Sequence, residues 1–133
     1  MKTSFDTDAI LFQLLNGKTS INGGVYTNDD RPENSEKEDI VVNTIDLSQD
    51  SFPQIGTSNV NIYVPDSTKR IKGKEQIVAN RIRMKSLTNE IIAILRKANV
   101  NGLKLIPGNM STMYEPRIKQ HFVNIRIYWN IQN

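Results

Sequence analysis

His121-Phe122-Val123-Asn124-Ile125-Arg126-Ile127-Tyr128-Trp129-Asn130-Ile131 is the stretch that decides the fold. Val123, Ile125, Ile127, Trp129 and Ile131 share one parity; Asn124, Arg126 and Asn130 share the other. A strand turns successive side chains to opposite faces, so this spacing predicts a strand with one face buried and one wet. The strand is expected to run from Ile118 to Ile131, with Glu115-Pro116 at its entry. Asn59 to Val64 has the same texture, with Val60, Ile62 and Val64 against Asn59, Asn61 and Tyr63, and Pro65-Asp66 stops it. Half-buried strands of this kind belong to antiparallel sheets covered on one side.

Working outward, Ile40 to Ile45 is a β-branched run and reads as a third strand, with a short one at Val25-Tyr26 after the Asn22-Gly23-Gly24 turn. Ser48 to Thr57, holding Pro53 and Gly56, reads as a connection. Leu103 to Ile106 reads as a strand ended by Pro107-Gly108. Ala9, Ile10, Leu11, Leu14 and Leu15 form the stripe of a short helix capped by Asp6 or Thr7 and closed at Asn16-Gly17. Ile77, Met84, Leu87, Ile91, Ile94 and Ala98 recur at helical spacing and predict a long helix from about Lys74 to Ala98, ended by Asn101-Gly102. The expectation is a single α+β domain over residues 1–133. Its mostly antiparallel sheet would be packed on one face by a short N-terminal helix and one long helix, with turns too short for parallel crossovers among the early strands.

Residues 27–38 contain no large apolar side chain. Such a segment has little surface to bury against its ordering entropy, so an exposed, mobile loop is expected there. The net charge of +3 conceals an asymmetry. Residues 1–50 hold ten acids against four bases, a balance of −6, and the remainder carries +9. Two oppositely charged halves suggest complementary contact between copies or with a partner. The candidate contact residues are Arg81, Arg83 and Lys85 on the basic side, and Glu33, Glu36, Glu38 and Asp39 on the acidic side.

The residues offer little chemistry. With no cysteine and one histidine, thiol nucleophiles, disulfides and transition-metal clusters have no material, and no cofactor is expected. His121 lies on the parity of Val123 and Ile125, where a packed, hydrogen-bonded residue is expected rather than a base. The acids of the polar loop lack apolar neighbours that would raise a carboxyl pKa. An enzyme of unfamiliar type would need a cleft built from His121, Tyr114, Glu115 or that loop. Lys72-Gly73-Lys74 has the look of a phosphate-binding turn but lacks the glycine pattern of one. Lys69, Arg70, Lys72, Lys74, Arg81, Arg83 and Lys85 make a basic stretch that would suit nucleic-acid backbone or an acidic protein surface. No aromatic residue lies between positions 64 and 113 to stack bases, so specific nucleic-acid binding is not expected. The first residues put acids where a signal peptide needs an apolar run, and no stretch is long enough for a membrane span, so an intracellular, non-membrane protein is expected.

An N-terminal helix with Leu14-Leu15 comes first in the chain, followed by Val25-Tyr26 and a polar loop with Pro32. After these come Lys37-Glu38-Asp39-Ile40-Val41-Val42-Asn43, the alternating Val60 to Val64, the long helix, and Tyr114-Glu115-Pro116 leading to the strand through Trp129. This layout resembles the bacteriophage tail-completion, or tail-terminator, proteins across nearly the whole chain. The resemblance implies a non-enzymatic structural protein that forms a ring, typically six-fold, at the joint between phage head and tail. Its partners would be copies of itself and tail-tube or head-connector proteins. It would be found in the bacterial host cytoplasm during assembly and in the virion tail afterwards, with a prophage as a natural source. The loop between Pro65 and Gly73 is longer than the family's pattern. The second reading is a nucleic-acid-associated accessory protein using the basic stretch 69–85.

Overall fold

The computed structural model describes residues 1–98 and 101–133. Helix α1 spans Ser4–Leu15 and α2 Arg81–Lys97; the strands are β1 Val25–Thr27, β2 Asp39–Leu47, β3 Gln54–Val64, β4 Ser67–Ile71, β5 Lys74–Val78, β6 Leu103–Glu115 and β7 Gln120–Ile131. Strands β1, β2, β3, β7 and β6 form one sheet in that spatial order. All its neighbouring pairs are antiparallel except β1 with β2. Helix α1 covers β1 and β2, and α2 covers β3, β7 and β6. The protein is an α+β domain with a mostly antiparallel sheet, as the alternation predicts.

The core lies between helices and sheet. On β3 burial alternates without a break, and Val60, Ile62 and Val64 face the helices. Register places Ile62 opposite Val123 and Val60 opposite Ile125. Leu11 and Leu15 of α1 and Met84, Leu87, Ile91 and Leu95 of α2 close over them. Each fully buried aliphatic side chain of this kind contributes about 1.5–3 kcal/mol relative to exposure.

One polar line crosses this interior. Trp129 Nε1–H donates to Ser58 Oγ at 2.7 Å, and the Ser58 and Thr44 hydroxyls lie 2.8 Å apart. Thr44 Oγ1 donates to Asp8 Oδ1 of α1 at 2.7 Å. Buried hydroxyls and an indole N–H each need a partner, and here every donor finds the next acceptor.

Five expectations are corrected. The long helix starts at Arg81, not near Lys74. Lys74–Val78 is a strand, because Lys72 and Gly73 take consecutive positive φ angles of 51° and 79° and turn the chain back on Ser67–Ile71. Such a pair is what a two-residue type I′ hairpin requires. The Asn80 side chain then accepts from Arg83 N–H and sets the helix start, while the last helical residue is Lys97. Gln54–Thr57 belong to β3, although read as connection. Strand β6 continues through Pro107 to Glu115 with one register break, which an edge strand tolerates. Helix α1 is capped one turn early, with Asp6 accepting from Thr3 N–H at 2.7 Å; those bonds to Thr3 hold its carboxyl below the usual range. Finally, β1 and β2 pair in parallel because the polar segment 28–38 carries the chain back along the sheet.

Candidate functional site

The polar loop is pinned at its base and open at its tip. Arg31 Nε–H donates to Asp39 Oδ2 at 2.9 Å, and its Nη2–H donates to Gln120 Oε1 at 2.8 Å. The guanidinium lies 4.1 Å from the Tyr63 ring centre, and that ring stacks on Phe122. Burial raises the Tyr63 phenol above its usual range, against the nearby Arg31 charge. Gln120 Nε2–H returns to Ser35 O at 2.7 Å, and Ser35 Oγ–H donates to Asp39 Oδ2. Asp39, only 1% exposed, also accepts from Gly24 N–H at 2.8 Å. Gly23 has to be glycine, because a Cβ there would meet Asp39 Oδ1 at 1.9 Å. The loop expected to be mobile throughout is therefore held by an arginine fork and an aromatic face, neither of which an apolar count detects. Asp29, Asp30, Glu33 and Glu36 remain exposed.

The second anchor joins the end of the polar loop, just before β2, to α2. Arg83 Nε–H and Nη2–H donate to Glu38 Oε2 and Oε1 at 2.6 and 2.8 Å, and Nη2–H also donates to Ser20 O at 2.7 Å. The bonded guanidinium holds the Glu38 carboxyl below the usual glutamate range, against the opposing push of burial. The same bond raises Arg83.

These contacts sort the residues singled out from the sequence. Glu38 and Arg83, placed there on opposite sides of a contact between copies, pair inside one chain. Asp39 is buried under Arg31 and offers no charge to a partner. Glu33 and Glu36 are exposed on the loop, and Arg81 and Lys85 are exposed on α2. Arg81 and Lys85 flank a groove of about 440 Å³ floored by Met84, Thr88, Met110, Thr112 and Val123. The Thr88 hydroxyl is buried there without a hydrogen-bond partner.

His121 sits at the end of the sheet rather than within the core. Its Nδ1 lies 2.8 Å from Asp66 Oδ1, and its ring tilts against Tyr114. The core parity continues to this residue, but its side chain is 26% exposed. Asp66 immediately precedes β4, so this pair fastens the root of the β4–β5 hairpin to the main sheet.

That hairpin was not foreseen. None of its residues is buried, and Ile77 is 73% exposed. Among the described residues, no helix or other strand packs on it to any substantial extent. At about 3.3 Å per residue its five-residue strands project roughly 17 Å. Lys69, Arg70, Lys72 and Lys74 stand on this arm, so four of the seven bases of the basic stretch belong to a protrusion. A signal existed in the sequence: Lys72-Gly73 between two segments of equal length with β-branched ends.

The sheet face away from the helices is the wet one the alternation predicts, but the bonding across it was not foreseen. Asn59 Nδ2–H donates to Asn43 Oδ1 at 3.3 Å, and Asn124 Nδ2–H donates to Asn59 Oδ1 and Asn61 Oδ1 at 3.0 and 2.7 Å. The amides form a ladder across β2, β3 and β7.

Among the described residues, no group of three or more histidine, aspartate and glutamate side chains is placed to hold a metal ion, and no helix is long and apolar enough to cross a membrane. Comparison with protein-family models and with curated proteins finds no match to the sequence.

Proposed function

We propose that this chain is a non-enzymatic assembly protein that joins copies of itself head-to-tail into a closed ring. We further propose that the ring is a tail-completion piece at the head–tail joint of a phage or prophage. The observation that carries the first statement is the β4–β5 arm. A lone two-stranded ribbon is marginal in water, and this one has no packing layer among the described residues. It gains such a layer by lying on another molecule. A head-to-tail contact uses two different patches per subunit and closes when the rotation per subunit divides a full turn. The resemblance in segment order to tail-terminator proteins supports the phage setting, with tail-tube or head-connector proteins as the other partners.

The test is sedimentation and negative-stain microscopy of the full chain at millimolar concentration, beside a variant with residues 67–78 replaced by a short glycine–serine link. Rings from the wild type and monomers from the variant, with equal melting temperatures, are expected. A wild-type chain that stays monomeric overturns the reading. Retention of duplex DNA by the arm at 200 mM salt would favour the nucleic-acid reading instead, since a few phosphate contacts lose affinity steeply over that range.

A further inference from the structure

We infer that the arm's receiver is the acidic tip of the 28–38 loop on the next copy, an assignment that rests on the self-assembly reading above. Four bases and the single acid Glu75 give the arm a charge of about +3, and among the described residues none of them is in an ion pair. Asp29, Asp30, Glu33 and Glu36 are likewise exposed and in no ion pair. Of the two bases in that loop, Arg31 is committed to Asp39 and Gln120, and Lys37 leaves the acids in excess. Among the described residues the arm is therefore a net basic projection and the loop a net acidic one.

Shape agrees with charge. Asp29 and Glu33 line a hollow of about 500 Å³ whose two arginines, Arg31 and Arg117, are already paired with Asp39 and Glu115. That is the size of a small-ligand pocket, too small for a two-stranded arm and suited to side chains from its tip. Lys72 leads the tip, in a left-handed conformation fixed by the turn. Both partners are held before they meet. The arm is fastened at its root by His121 and Asp66, and the loop at its base by Arg31. Complementary charge fixes which patch meets which.

The helix face is the weaker basic candidate. Its Arg83 is spent inside the chain, and Arg81 and Lys85 flank an apolar groove rather than projecting from the surface.

The test uses two full-length charge reversals. One carries Lys69→Glu, Lys72→Glu and Lys74→Glu; the other carries Asp29→Lys, Glu33→Lys and Glu36→Lys. Each alone sets like charge against like and should be monomeric by native mass spectrometry where the wild type is a ring. Mixed one to one, they restore opposite charge at every contact, so an oligomer of alternating copies should return and dissolve in molar salt. The neutral set Lys69→Gln, Lys72→Gln and Lys74→Gln should weaken assembly at least tenfold, which guards against a reversal that merely misfolds. A wild-type ring that survives either reversal, or a mixture that stays monomeric, overturns the assignment of the receiver while leaving self-assembly intact. A wild-type monomer at millimolar concentration overturns both. Loss of DNA retention on arm reversal, with the ring unchanged, assigns the arm to phosphate backbone and also overturns it.

Discussion

Arg83 in the first turn of α2 grips Glu38 at the end of the polar loop through two near-parallel N–H···O bonds of 2.6 and 2.8 Å. The fork matches the carboxylate in geometry as well as charge, which a lysine would not do. It ties the helix over one half of the sheet to the strand under the other.

Glu38→Gln should lower stability by about 2 kcal/mol, the scale of hydrogen bonds to a charged partner. The pH dependence has a definite sign. The folded Glu38 carboxyl lies below its unfolded value, so its contribution is complete above the ordinary glutamate pKa and is lost as pH falls through the folded one. Urea midpoints from pH 7 down to pH 3 should fall more steeply for the wild type than for Glu38→Gln. Parallel curves would refute the linkage.

Ser58→Ala removes the acceptor of the Trp129 indole and the neighbour of the Thr44 hydroxyl in one step. A buried donor left without a partner costs about 1–3 kcal/mol, so the melting temperature should fall although the side chain shrinks by a single atom. Ser58→Thr, which keeps the hydroxyl, tests whether volume or bonding is responsible.

Ile125→Asp should be severely destabilising, since Ile125 is fully buried beneath the helices. An unpaired buried carboxylate costs several kcal/mol, comparable with the whole stability of a small domain. Soluble expression with an unchanged melting temperature would contradict the face assignment.

Arg31→Ala should release the loop without unfolding the sheet. The Lys37–Glu38 bond is the tryptic target, because Arg31 precedes Pro32. Cleavage after Lys37 should speed up by more than tenfold in the variant, while far-ultraviolet circular dichroism keeps its strand signal. An equal rate in both proteins would mean that Asp39 and Gln120 do not hold the loop.

The sheet was legible because β3 and β7 alternate without interruption, and period two has one structural meaning. The arm was not, because Ile77 falls in helical register with Met84, Leu87 and Ile91 by coincidence, and propensity alone does not reject it. Only the paired left-handed residues at Lys72-Gly73 separate the two readings. The acidic loop misled for a related reason. Arg31 counts as polar by composition, yet its guanidinium, lying over Tyr63 and bonded to Asp39, is the anchor that no apolar residue supplies. Glu38 and Arg83 were both recognised as interaction residues, but sequence separation does not tell a partner within the chain from one in another.

Strand β7 is made after every other strand, yet it lies between β3 and β6 in the sheet. A ribosome therefore releases β1, β2 and β3 with the long edge of β3 bare, and β6 with no neighbour to pair with. The sheet closes only once β7 is available to join β3 to β6. During that interval Val60, Ile62 and Val64 stand on an open edge, the usual template for pairing with another nascent chain.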